Sequence, residues 1–180
     1  MPRHEPSQPA VLLPTMELYT LLQTMTDLKR QATHQPCTYA GFEELVLTCG
    51  SAMPVKSSPV TIQRGLARQC YANCQRIANR NKKMLYCEGF ALSLSAGLPI
   101  PFAHAWIWHL TEHTVMEPTW KEHGTAYWSI AFNTEWIKSF LKSRNRKNSI
   151  SIFEGNHLER YSLLREGLPR DAYINLDSSA

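Results

Sequence analysis

Four stretches in the middle of the chain carry short, strand-forming runs of apolar residues, and helical spacing flanks them on both sides. The strands are predicted at Met84–Leu94, Phe102–Leu110, Thr114–Pro118 and Thr125–Phe132, as an antiparallel sheet. A loop holding Gly97, Pro99 and Pro101 is expected between the first two. Ahead of the sheet, Leu18, Leu21, Leu22, Met25 and Leu28 share one face of a helix over 16–30, with Thr15 as its cap. A short helix over 41–48 ends at Gly50, and 51–68, with Pro54, Pro59 and Gly65, reads as irregular. From 70 to 80, Cys70, Cys74 and Ile77 form a stripe with Ala78 beside it, while Arg76 and Arg80 face outward. After the sheet, Asn133 or Thr134 caps a helix carrying Trp136, Ile137, Phe140 and Leu141. A short strand at 149–153, a helix near 157–166 and a C-terminal tail complete the chain. The pattern is α+β, with the 70–80 helix packed on an antiparallel sheet and extra N- and C-terminal helices.

Length and composition narrow the setting. At 180 residues, with 43% hydrophobic and 19% charged residues, the chain fits one domain with a substantial core. Residues 1–14 read as a mobile tail and 15–180 as the domain. No apolar run reaches membrane-spanning length and no leader is visible, so no membrane partner is expected. The five cysteines (37, 49, 70, 74 and 87) are an odd number without scaffold spacing, which suits a reducing cytoplasm and leaves room for a working thiol.

The net charge of +4 is modest but unevenly spread. No acidic residue lies between Glu44 and Glu88, where Lys56, Arg64, Arg68, Arg76, Arg80, Lys82 and Lys83 all fall. Solvated surface is the plain reading of such a run; a field favouring a thiolate or an acidic protein partner is the functional one. Nucleic acid is not the expected partner, because no recognition fingerprint accompanies the charge.

Cys70, His104 and Glu117 are the candidate chemistry. A cysteine attacks acyl carbon as a thiolate, so it needs an imidazole to take its proton and a third group to orient that imidazole. Cys70 falls at the start of the 70–80 helix, where unpaired N–H groups and the dipole favour negative charge. Phe102, His104, Trp106 and Trp108 share one strand face. With a hairpin loop at 111–112 or 110–113, Glu117 opposes Trp106, one diagonal step from His104; an odd loop would put it on the other face. The backbone N–H of Cys70, with the Gln69 or Gln63 side chain, is the candidate oxyanion site. A preformed thiolate pair would bring the thiol's pKa to roughly 3.5–7.5.

The order of Cys at a helix start, His104-Ala105-Trp106 on a strand, and Glu117-Pro118-Thr119 on the next resembles the transglutaminase-like branch of papain-fold cysteine enzymes. The Cys70-Tyr71-Ala72-Asn73 and Glu88-Gly89-Phe90 elements are similar to its small bacterial and phage members. The likeness covers residues 63–132, and Glu117 stands where the family usually has Asp. It implies a papain/transglutaminase-like core and thioester chemistry on peptide or glutamine amides, with a protein or peptide substrate and no cofactor.

Alternatives stand beside each assignment. Glu88 is the understudy for the third residue or a ligand for a substrate amine, and Trp106 and Trp120 are candidate groove walls, though such aromatics are more often core. Cys74 is the rival nucleophile. A zinc site from Cys70, Cys74, His104 and His109 is disfavoured, because the two histidines face opposite sides of one strand. No glycine loop for phosphates, serine elbow or dinucleotide fingerprint is present. Hydrolysis, deamidation and acyl transfer share one thioester, and a catalytically silent binding module of the same fold is the reading from a different class.

Overall fold

The computed structural model describes residues 9–32, 37–56, 58, 60–95, 97–145 and 150–176. Within them the chain is an α+β protein with six helices and a five-stranded antiparallel sheet. The helices are α1 (Pro9–Ala32), α2 (Phe42–Cys49), α3 (Cys70–Arg80), α4 (Thr134–Ser143), a 3-10 helix (Glu154–Glu159) and α5 (Ser162–Glu166). The strands are β1 (Ser51–Ala52), β2 (Met84–Ser95), β3 (Leu98–His109), β4 (Thr114–Met116) and β5 (Ala126–Ala131), in the order β1-β5-β2-β3-β4.

The two faces of the sheet are buried differently, and the period-two alternation decides which residue goes where. Tyr86, Phe90, Ala105, Ile107 and Ile130 face α1, α2, α3 and α4, meeting Leu18, Leu22, Leu45, Val46, Cys74, Ala78 and Ile137. Leu85, Cys87, Ala91, Trp106, Trp108, Val115 and Tyr127 face the other way, under Met53, Val55, Trp120 and Ile174. Gly89 on β2 lies close against β5: a Cβ there would sit 2.2 Å from the carbonyl oxygen of Trp128.

Several expectations change. β2 and β3 form one long hairpin, with Leu94 paired to Pro99 and Leu92 to Pro101, in place of a loop. Proline is tolerated there because β4 pairs only with Ile107–His109, so the outer part of β3 is a free edge that needs no donors. Helix α1 starts at Pro9 rather than after Thr15, so residues 9–14 are helix and Pro14 lies inside it; residues 1–8 of the expected tail lie outside the described residues. Leu28 is exposed, because the last turns of α1 meet α2 through the ion pairs Lys29–Glu43 and Arg30–Glu44. The 51–68 segment contributes β1, paired with β5. The described part of 149–153 is not a strand, and the expected 157–166 helix is split into the 3-10 helix and α5. The C-terminal segment returns to the sheet, where Tyr173 bridges Phe132 and the Ile174 N–H donates to Ala131 O at 2.8 Å.

Candidate active site

The β3–β4 hairpin pairs Ile107 with Met116, Trp108 with Val115 and His109 with Thr114, around a turn at 110–113. Continuing this register one residue sets Glu117 opposite Trp106 and on the face of His104. The side chains meet there: His104 Nε2 lies 2.8 Å from Glu117 Oε2, and both are almost fully buried. The second carboxylate oxygen, Oε1, accepts the backbone N–H groups of Thr119 at 2.8 Å and Trp120 at 3.0 Å. A carboxylate held by two amide donors acts as an acceptor, so Nε2 is the donor to it, and Nδ1 is the nitrogen left to accept a proton when the ring carries only one. The Trp120 ring stacks on the imidazole, with centroids 3.9 Å apart and planes at 15°.

Cys70 is the first residue of α3 and is half-buried. Because β4 stops at Met116, the edge of β3 beyond Ile107 is open, and the start of α3 fits against it. Burial pushes the Cys70 thiol up to about 11, while the backbone N–H groups of Ala105 and Tyr71 act in the opposite direction and the carboxylates of Glu88 and Glu117 raise it further. The thiol thus lies beside the residue that follows His104. Among the described residues no hydrogen bond joins Cys70 to His104. The expected lowering of the thiol by a preformed pair is not matched by this balance, in which burial outweighs the two backbone donors. Cys74, one turn on, is fully buried and pushed well above the ordinary range by desolvation.

Two other candidates have different roles in the structure. Trp106 is fully buried: its Nε1 donates to Met53 Sδ at 3.3 Å and its ring packs edge-on against Tyr127, so it is core rather than a groove wall. Glu88 is buried with both oxygens occupied. Tyr86 Oη and the Ile152 N–H (2.8 Å) donate to Oε2, and Ser151 Oγ and the Phe153 N–H (3.1 Å) to Oε1. Burial raises its pKa despite those donors. Glu88 anchors the 151–153 segment to the sheet, and Glu117 is the acid that meets His104.

Gln69 precedes α3 and is exposed; its carbonyl accepts the Asn73 N–H at 2.9 Å, and its side chain makes no capping bond. Gln63 is exposed in a cleft whose lining does not include Cys70. Arg68, at φ 62°, takes a left-handed conformation two residues before Cys70.

Asn73 is the residue whose role the sequence did not reveal. It is fully buried; Nδ2 donates to Leu66 O (2.8 Å) and Thr119 Oγ1 (3.0 Å), and Oδ1 accepts from Leu66 N (3.2 Å) and Arg76 Nη2 (2.8 Å). Gly65 lies against it, for a Cβ there would fall 2.1 Å from Asn73 Oδ1. Gly65 N–H also donates to Pro118 O at 2.8 Å, and Arg64 donates to the carbonyls of Trp120 and Lys121 at 3.2 and 2.8 Å. The loop before α3 thereby straps down the 117–121 segment that carries Glu117 and Trp120. An asparagine one turn after a candidate nucleophile, on a stripe that is otherwise apolar, was the signal available in the sequence.

No family model, curated protein or solved structure matches this chain. No helix among the described residues is long and apolar enough to cross a membrane.

Proposed function

We propose that the protein is a cysteine-dependent amide-bond hydrolase (a peptidase, isopeptidase or glutamine deamidase) built on a papain/transglutaminase-like core. The observation that carries this reading is the buried His104–Glu117 pair beside a cysteine that begins a helix. The sulfur attacks the amide carbonyl as its proton passes to His104 Nδ1, forming the S–C bond. The Cys70 backbone N–H, at the first turn of α3, faces the developing oxyanion. His104 then protonates the leaving nitrogen as the C–N bond breaks, and water, deprotonated by the same imidazole, hydrolyses the thioester. Glu117 holds the tautomer and stabilises the imidazolium. Transfer of the acyl group to an amine would use the same thioester.

The lack of a Cys70–His104 hydrogen bond among the described residues, with the burial that pushes the thiol up, favours a second reading, a silent binding module of the same fold. p-Nitrophenyl acetate separates the two, followed by product release and peptide mass spectrometry with half-buried Cys37 and Cys49 as references. The enzyme reading expects acetylation and turnover at Cys70, slowed about 10²–10⁴-fold in His104→Ala. Acetylation of Cys70 no faster than the references, and indifferent to His104→Ala, would leave the binding module.

A further inference from the structure

A second cleft has a lining that includes none of Cys70, His104 and Glu117. It encloses about 440 Å³ and is lined by Gln63, Arg64, Leu66, Arg76, Ile77 and Arg80, together with Gly65. Three guanidinium groups line it and no carboxylate does. Two of the three are held in place: Arg64 by the carbonyls of Trp120 and Lys121, and Arg76 by Asn73 Oδ1. A guanidinium has five N–H donors, so each keeps others for a ligand, and tethering lowers the entropy cost of binding one. Arg80 has no intramolecular partner among the described residues. Leu66, 61% exposed, and Ile77 supply apolar surface between the charges.

We propose that this cleft is a binding site for carboxylate- or phosphate-bearing ligands, with an acidic peptide segment that also carries an aliphatic side chain as the occupant fitting it best. Planar guanidinium groups match the two oxygens of a carboxylate or phosphate. The absence of acidic residues between Glu44 and Glu88 leaves nothing on that stretch to neutralise the field. The leucine and isoleucine are the reason to prefer a peptide over a bare anion. The site does not depend on the chemistry at Cys70, so binding can be measured whether or not the protein is an enzyme.

The test is fluorescence anisotropy with a fluorescein-labelled Glu-Leu-Glu-Glu peptide at about 20 mM salt, where charge contacts are weakly screened. The probe is titrated with wild type, Arg76→Gln/Arg80→Gln, Arg80→Gln alone, and the control Lys138→Gln/Lys142→Gln on α4. Saturable binding is expected, weakened at least about tenfold in the arginine double variant and a few-fold in Arg80→Gln, with the lysine control within about twofold. Arg80→Gln covers the case in which the change at Arg76 disturbs Asn73. Displacement by inorganic phosphate would assign the site to phosphate-bearing ligands, and resistance to phosphate would assign it to carboxylates; either supports the cleft. Equal weakening in the arginine and lysine variants, or no saturable binding to wild type, overturns the proposal.

Discussion

Replacing Glu117 with glutamine changes the His104 tautomer while leaving the site's shape nearly intact. The wild-type carboxylate makes three contacts: His104 Nε2 at 2.8 Å on one oxygen, and the N–H groups of Thr119 and Trp120 on the other. In Glu117→Gln the amide oxygen keeps the two backbone donors, because the opposite orientation would set its NH₂ against both. The NH₂ then points at Nε2 and donates to it, so the ring proton moves to Nδ1 and the nitrogen that would accept a proton from Cys70 is lost. One charge-assisted hydrogen bond, about 1.5–3 kcal/mol, is exchanged for a neutral one of about 0.5–1.5 kcal/mol, a net cost of about 1 kcal/mol. In a protein of this size that is about 2–4 °C in Tm. The acylation rate at Cys70 falls far more, by about 10⁴-fold, as it does when an analogous triad acid becomes an amide. Two-bond ¹H–¹⁵N correlation spectra of histidine-labelled protein at pH 8 read the tautomer directly and need no substrate. The Nε2–H form is expected in wild type and the Nδ1–H form in Glu117→Gln. An Nε2–H signal in both proteins, or wild-type acylation by the variant, refutes the reasoning. Glu117→Ala is the contrast: it leaves the donors of His104, Thr119 and Trp120 without their acceptor, at about 1–3 kcal/mol for each that stays buried.

Further outcomes follow from the same geometry. Cys70 has a folded pKa raised above the ordinary thiol value, so the fold favours its neutral form; that contribution is present below about pH 9 and is lost as pH rises through about 11. Iodoacetamide labelling of Cys70 should climb through the alkaline range towards pH 11, and a plateau already reached by pH 8 would contradict it. Asn73→Ala removes a buried side chain with four hydrogen bonds and should cost about 2–4 kcal/mol in denaturant unfolding; a loss below about 0.5 kcal/mol would show that the 63–66 loop does not depend on it. Gly65→Ala should lower stability through the same contact, because the new Cβ overlaps Asn73 Oδ1. Glu88→Leu strands the N–H groups of Ile152 and Phe153 and should cost about 3–5 kcal/mol, with faster amide exchange at those two residues. Unchanged exchange there would remove the anchoring role.

Much of the architecture was legible because it is written in local periodicity. The apolar, strand-forming runs at 84–94, 102–110 and 125–132 specify strands; the Cys70, Cys74, Ala78 stripe specifies α3; and Asn133 caps α4 by accepting the N–H groups of Glu135 and Trp136. The meeting of His104 and Glu117 was legible too, since a hairpin register fixes which side chains share a face and the turn at 110–113 is the even-numbered loop that the argument required. The misreadings occur where local chemistry was overridden. Pro99 and Pro101 read as a loop, yet a free sheet edge accommodates them, and Thr15 reads as the cap of a helix over 16–30, yet α1 starts at Pro9.

Residue order and spacing by themselves determined which segments are helix or strand, which faces they bury, and that a cysteine, a histidine and an acid stand in the sequence positions thiol chemistry requires. Only the tertiary structure decided between Glu117 and Glu88 as the acid beside His104, sent Trp106 into the core, made Asn73 the tie between α3 and the 117–121 segment, and set the burial that raises the Cys70 thiol. The physical reason is range. Periodicity and capping act over a few residues and are printed in the sequence, whereas a buried polar group is satisfied by whatever the fold brings to it, as Ser151, Ile152 and Phe153 are brought to Glu88 across more than sixty residues of chain.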